Sequence, residues 1–193
     1  MLESQAILTI RYFLGQALTL VDCGGGEADK PILRALAFLR LGYRTAVLRD
    51  DDKRPSANVE EVFTSLGGAI FSWRRDRALE DELFLSLPDD AVGEMIDEAV
   101  DLHGEAQVDN HVKSASTNHL DLAGVRVEIA AGELSVETRT ILGRAARAKK
   151  AGWFKSVSWM EAVAREIVAP QLAATDAGFR EVIARAFEWM RRG

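Results

Sequence analysis

The chain has 193 residues, 48% of them apolar and 28% charged, the mix of an ordinary globular protein with one domain, or one domain carrying a sizeable insertion. Its 24 basic and 30 acidic residues leave a net charge of −6, so nothing draws the whole chain to nucleic acid and any DNA contact has to come from local basic patches. The lone cysteine, Cys23, excludes an intramolecular disulfide and suits a reducing cytosol, and no apolar stretch approaches the roughly 20 residues of a membrane span. The N-terminus lacks the basic region and small-residue cleavage site of a signal peptide, so the chain reads as soluble and cytoplasmic.

Residues 1–16 are apolar without a clear period. Ala17–Val21 reads as a strand, ending in Asp22-Cys23-Gly24-Gly25-Gly26, where glycines permit a tight turn. From Asp29 the spacing of Ile32, Leu33, Leu36, Ala37 and Leu39 predicts a helix, with Pro31 in its first turn and Gly42 as its stop. A strand over Arg44–Leu48 follows, then a helix capped by Ser56, with Val59, Val62, Phe63 and Leu66 facing inward and Gly67-Gly68 at its end. Ala69–Trp73 is a further strand. Alternation of strand and helix predicts a parallel sheet covered by helices.

Beyond Trp73 the strand signals fade. Leu79, Leu83 and Leu87 share a helical face that Pro88 ends, and Asp89–His103 is a second helix. Gly104–Leu122, rich in Ser, Thr, Asn and His, reads as a long loop or a poorly ordered connection, and Val125–Ala130 as a short strand. Ser135–Lys150 is a helix with a basic end, followed by a break at Gly152-Trp153-Phe154-Lys155 and helices over Val157–Val168 and Asp176–Met190. The expectation is an α/β core over residues 17–88 and a mainly helical region over 89–193, within one domain.

The most pointed chemistry lies at the end of the Arg44–Leu48 strand, where Asp50, Asp51 and Asp52 follow one another. Residues two apart on an extended segment point the same way, so Asp50 and Asp52 can share one hard cation while Asp51 faces elsewhere. The carboxyl end of a strand in an open α/β sheet is also where ligands of that architecture bind. A solvated acidic turn is the plain alternative. Glu80, just past the third strand, falls at the same edge in chain order, and a third carboxylate there suits magnesium or manganese; the alternative is a helix-start carboxylate favoured by the dipole. Lys155, beside Trp153 and Phe154 and after Lys149 and Lys150, is placed to neutralise a phosphate, or is simply a surface lysine.

Other motifs are weaker. The Gly24–Gly26 turn matches neither Gly-x-Gly-x-x-Gly nor a P-loop, so no nucleotide cofactor is expected. His103, His111 and His119 are evenly spaced but lack the tight spacing and second ligand type of a zinc site. Cys23 has no His–acid arrangement near it, and no Gly-x-Ser-x-Gly elbow occurs.

Taken in order, Leu20-Val21-Asp22 with its glycine turn, Leu41 through Asp52, then Leu79-Glu80-Asp81-Glu82-Leu83-Phe84 and Leu87-Pro88-Asp89 resemble the C-terminal Toprim region of the overcoming-lysogenisation-defect family of ATP-dependent endonucleases. Gly152-Trp153-Phe154-Lys155 is similar to that family's late lysine motif, and the resemblance runs from about Ala17 to about Glu166. It implies a Toprim-like parallel sheet flanked by helices, with an inserted helical segment, and a two-metal DNA endonuclease using magnesium or manganese in phage defence. Carried over, Asp50, Asp52 and Glu80 are metal ligands, with Glu80 and Lys155 serving catalysis and Lys155 stabilising the scissile phosphate. The implied partners are DNA, an ATPase domain or protein, and a second copy in a homodimer, with no membrane.

The chain departs from the family in three ways. The family's opening Glu-Gly-x-x-Glu has no counterpart before Asp22, leaving Glu3 and Asp22 as the extra acids; Ala78-x-Glu80 replaces Ser-x-Glu; and no Walker A sequence is present. The chain therefore reads as a truncated or degenerate copy, or one that works with a separate ATPase. The rival from another class is a module that binds DNA or a partner without cleaving. A receiver-like signalling domain is a third reading, weakened because Trp73 and Arg74 stand where its phosphoacceptor belongs.

Overall fold

The computed structural model describes residues 19–192 except 22, 24, 25, 75 and 150. It is mixed α/β, with a two-stranded parallel sheet among mostly helical elements. Contacts divide the chain into two compact units, residues 1–78 with 178–193, and residues 79–177.

The first unit is built on α1 (Asp29–Arg40), β1 (Ala46–Arg49), α2 (Ala57–Ser65) and β2 (Ala69–Ser72). Helix α1 turns Ile32 and Leu36 inward at i and i+4, where they meet Val47 of β1 and Phe63 of α2 in one buried cluster. Gly42 at φ +89° and Gly67 at φ +94° end the helices in a conformation that side chains resist. Strands β1 and β2 pair in parallel, as the sequence predicts, and the register sets Ala46 opposite Ala69 through Arg49 opposite Ser72. Ser56 stands at the start of α2 as expected, but it caps nothing in its own helix. Its amide and hydroxyl both donate to the Asp29 carboxylate at 2.6 Å, which fastens the start of α2 to the start of α1. Helix α10 (Ala177–Arg191) joins this unit from Gly178 onward: Phe179 stacks on Trp73 at 5.7 Å, and the Arg44 guanidinium lies 3.9 Å over the Trp189 ring.

The strand expected at Ala17–Val21 falls partly outside the described residues, and Thr19, Leu20 and Val21 are not in a strand. Among the described residues the sheet thus has two strands.

The second unit holds α3 (Leu79–Ser86), α4 (Asp89–His103), α5 (Glu105–Ala115), α6 (Leu122–Ala131), α7 (Val136–Ala146) and α8 (Val157–Val163), then a π-turn at Ala164–Val168 and a short α9 (Ala169–Gln171). The π-turn is the response to Pro170: the ring has no N–H to return, and the chain widens so that the Ala169 N–H reaches Ala164 O instead.

Two sequence expectations are corrected here. Gly104–Leu122 is not a long loop, because α5 occupies most of it and buries Val108 and Val112 one turn apart. Val125–Ala130 is not a strand, because it lies within α6. Asp121 caps that helix by accepting the Gly124 amide at 2.8 Å, and Gly132 closes it at φ +67°.

Helices α3 and α7 are packed against each other at close range. A Cβ on Gly143 would lie 2.8 Å from Asp81 Oδ1 and 3.0 Å from Asp81 Cα, so only glycine permits this approach. One turn further along, Arg147 pairs with Asp81 at 3.1 Å. Arg139 of α7 covers the end of α3, donating to the carbonyls of Phe84 at 2.7 Å and Leu87 at 2.8 Å while also pairing with Asp89. It thereby satisfies carbonyls that a helix end leaves without partners. No helix among the described residues is long and apolar enough to cross a membrane.

Candidate metal and phosphate site

Strand β1 ends at Arg49, and the three aspartates follow directly in a bend beside the carboxyl edge of the sheet. Their burial differs from one to the next: Asp50 is partly buried, Asp51 is 9% exposed and Asp52 is exposed. The inward residue is Asp51, the one that spacing alone sets apart as the bystander. One of its oxygens accepts Arg49 at 2.9 Å, and the other accepts the Asp76 amide at 3.0 Å and Arg54 at 3.3 Å. Its own amide donates to Arg77 O at 2.8 Å, so both faces of this peptide engage the loop after β2.

Arg49 extends the network. Its guanidinium bonds Glu60 on α2 through Nε at 3.2 Å and Nη2 at 2.8 Å, and it also donates to Asp50 O at 2.9 Å. Arg54 bridges to Asp76 at 2.9 Å, and Asp76 holds a left-handed φ of 62°, a conformation that Asp tolerates better than most side chains. Burial works against charge on Asp51. The Asp76 amide, the Arg49 hydrogen bond and the Arg49 and Arg54 charges outweigh it, and the carboxyl is held below its ordinary value.

A signal for this arrangement exists in the sequence. Arg49 and Asp51 are two apart on an extended segment, the same parity rule that pairs Asp50 with Asp52. Asp76 carries no such signal, because its approach depends on the pairing of β1 with β2.

Asp50 and Asp52 lie in the first unit, whereas Glu80 and Lys155 lie in the second. Glu80 is on the first turn of α3, followed by Asp81 and Glu82, and all three are buried. Negative charge is favoured at that end of a helix. Glu82, fully enclosed, accepts the Ser86 hydroxyl at 3.2 Å. Glu3 and Asp22 lie outside the described residues.

The Gly152–Lys155 motif divides into a core part and a surface part. Trp153 and Phe154 are buried, with the Trp153 ring edge-on to Phe84 at 5.8 Å. Lys155 folds back across Gly152, where a Cβ would fall 2.6 Å from its Cε, and its ammonium donates to Lys149 O at 2.5 Å. The cation therefore serves a carbonyl just beyond the end of α7.

Of the three histidines in the zinc alternative, His103 and His111 bond Trp153 and His119 lies 3.5 Å from Glu137. Among the described residues no group of three or more His, Cys, Asp or Glu side chains is arranged to hold a metal ion. Asp50 and Asp52 offer carboxylate oxygens of the type that magnesium and manganese take, but a hard cation needs six or more donors. The remaining donors would have to come from other acids, water or a bound phosphate.

Comparisons with family models, with curated proteins and with solved structures find no match to this chain.

Proposed function

We propose that this chain is a Toprim-like module of a divalent-metal-dependent DNA endonuclease, acting with a separate ATPase part. The observation that carries the reading is the pair Asp50 and Asp52 at the carboxyl edge of a parallel strand pair, the edge at which α/β folds bind ligands. In this reading Asp50 and Asp52 hold magnesium or manganese through hard oxygen donors. The bound cations supply Lewis-acid stabilisation of the phosphate charge and an acidified water. Asp51 is then the brace that holds its neighbours in place, since it is tied to Arg49, Arg54 and the Asp76 amide. Lys155 offers its ammonium to the phosphate by exchanging the Lys149 carbonyl for a phosphate oxygen.

The test is nicking of supercoiled plasmid in the presence of manganese. The expected result is metal-dependent nicking that disappears in Asp50→Ala; nicking that survives the substitution removes the assignment.

A second reading is a module that binds DNA or a partner without cleaving. The observation favouring it is that no three-ligand acidic group is assembled among the described residues. Calorimetry separates the two readings, because manganese binding without any nicking supports the second.

A further inference from the structure

Trp153 is fully buried, and two histidines from different helices hold it at opposite polar ends. His103, the last residue of α4, places Nε2 2.8 Å from the Trp153 carbonyl oxygen. His111 of α5 places Nδ1 3.1 Å from the indole Nε1. The chemistry of the partners assigns the protons. A carbonyl only accepts, so His103 donates from Nε2 in either of its charge states. An indole N–H only donates, so His111 accepts at Nδ1 and in its neutral form carries its proton on Nε2.

The two bonds consequently respond to acid in opposite ways. Protonation leaves the His103 bond in place, because imidazolium still donates from Nε2. Protonation of His111 puts a second N–H on Nδ1, and two donors then face each other at this partly buried contact, so the indole N–H loses His111 as its acceptor.

We propose that His111 and Trp153 form a proton-operated latch on the Gly152–Lys155 turn, closed when His111 is neutral and released when it is protonated.

The surroundings favour the closed state at neutral pH. Burial lowers the pKa of His111 from its ordinary value of 6.5, and the charge of His103 lowers it further. On α5 itself, Asp109 and Lys113 are engaged with each other at 2.6 Å, and Asp109 also accepts the Leu122 amide at the start of α6. On α6, Arg126 is held by Glu105 at 3.0 Å, and Glu128 is used by Ser135 and Thr138. On α7, Glu137 faces His119 and Arg139 is taken by Asp89, and just past its end Arg147 is taken by Asp81. The neighbour whose charge, when it carries one, acts on His111 is His103.

Release acts on one short segment. The Trp153 amide bonds Ala146 O at 3.0 Å, and Lys155 follows two residues later with its ammonium on Lys149 O, so Trp153 is one anchor of the turn between α7 and α8, beside the buried Phe154. The latch does not depend on the role proposed for Lys155, because it concerns the packing of Trp153 alone.

Nitrogen-15 NMR on the full chain tests it, with the Trp153 indole signal assigned by its loss in Trp153→Phe. At pH 8 the ring nitrogens of His111 are expected to show the Nε2–H tautomer; an Nδ1–H tautomer overturns the latch in the wild-type protein, with no variant needed. Between pH 8 and 5 the Trp153 indole signal is expected to shift with a midpoint below 6.5 that matches the titration of His111. In His111→Asn, whose Oδ1 replaces Nδ1 as an acceptor that does not titrate, that shift should be lost. A Trp153 signal that is indifferent to pH in the wild type, or that titrates equally in His111→Asn, overturns the proposal.

Discussion

Asp51 accepts the backbone N–H of Asp76 at 3.0 Å, joining the end of β1 to the loop that follows β2. The contact is reciprocal in effect, because the Asp51 amide donates to Arg77 O one residue further on. A short parallel strand pair is held at its carboxyl edge by this clasp, together with the two arginines that neutralise the same carboxylate. Removing one member of such a buried set leaves the others facing an uncompensated charge.

Asp51→Ala is therefore expected to destabilise the chain by about 2 kcal/mol, less than the full cost of an orphaned buried charge because Arg49 keeps Glu60 as a partner. Asp51→Asn, which retains an acceptor for the Asp76 amide, should lose roughly half as much. Urea denaturation monitored by circular dichroism measures both. Equal stability of Asp51→Ala and the wild-type protein would show the network to be ornamental.

Asp52→Ala provides the contrast. The side chain is exposed, so its removal is expected to change stability by no more than about 0.5 kcal/mol. If the proposed site binds metal, the same substitution lowers manganese affinity, so calorimetry should register the change while denaturation does not. A large loss of stability with no change in manganese binding would assign Asp52 to the fold instead.

Gly143→Ala sets two effects against each other. Alanine is favoured over glycine in a helix interior by about 1 kcal/mol, but its Cβ would sit 2.8 Å from Asp81 Oδ1 and 3.0 Å from the α3 backbone. Backbone cannot yield as a side chain does, so overpacking of about 1–3 kcal/mol should win and the variant should melt lower than the wild type. A rise in melting temperature would mean that α3 and α7 are not held at this distance in solution.

Arg139→Lys is expected to be nearly as damaging as Arg139→Ala. The guanidinium reaches the Phe84 and Leu87 carbonyls and the Asp89 carboxylate together, a fork geometry that a single ammonium does not reproduce. Both should cost about 2 kcal/mol or more in denaturant titrations. Full recovery by lysine would reduce the interaction to simple charge pairing with Asp89.

Acid should weaken the fold in two stages. The native pKa of His111 lies below its ordinary 6.5, so the unfolded chain takes up protons first; the stability due to neutral His111 is complete above 6.5 and is lost as pH falls through the lower native value. Asp51, also lowered, contributes stability that is complete above 3.8 and disappears on further acidification through its native value. Denaturation midpoints recorded from pH 8 to 3 should decline across both windows. His111→Asn should flatten the first and leave the second.

Much of the first unit was legible in the sequence because its signals are local. Ile32 and Leu36 stand one helical turn apart, Gly42 and Gly67 stop their helices, and two short β-branched and aromatic runs mark β1 and β2. Helix α5 was not legible because its polar Ser, Asn and His residues outnumber the two valines that anchor it. Helix α6 was misread because Val125-Arg126-Val127-Glu128-Ile129 alternates with the period of a strand, while the helix there leaves Val127 69% exposed and buries Leu122 and Val125.

By itself the sequence determined that acids stand at the end of a strand, since a β-branched and apolar run and its polar boundary are properties of neighbours. Only the tertiary structure decided which of those acids faces inward. Asp51 draws on Arg49 beside it, Glu60 through that arginine, Arg54 after the bend and Asp76 after the next strand. Those groups meet because β1 and β2 pair, and pairing between distant segments leaves no trace in the spacing of either one.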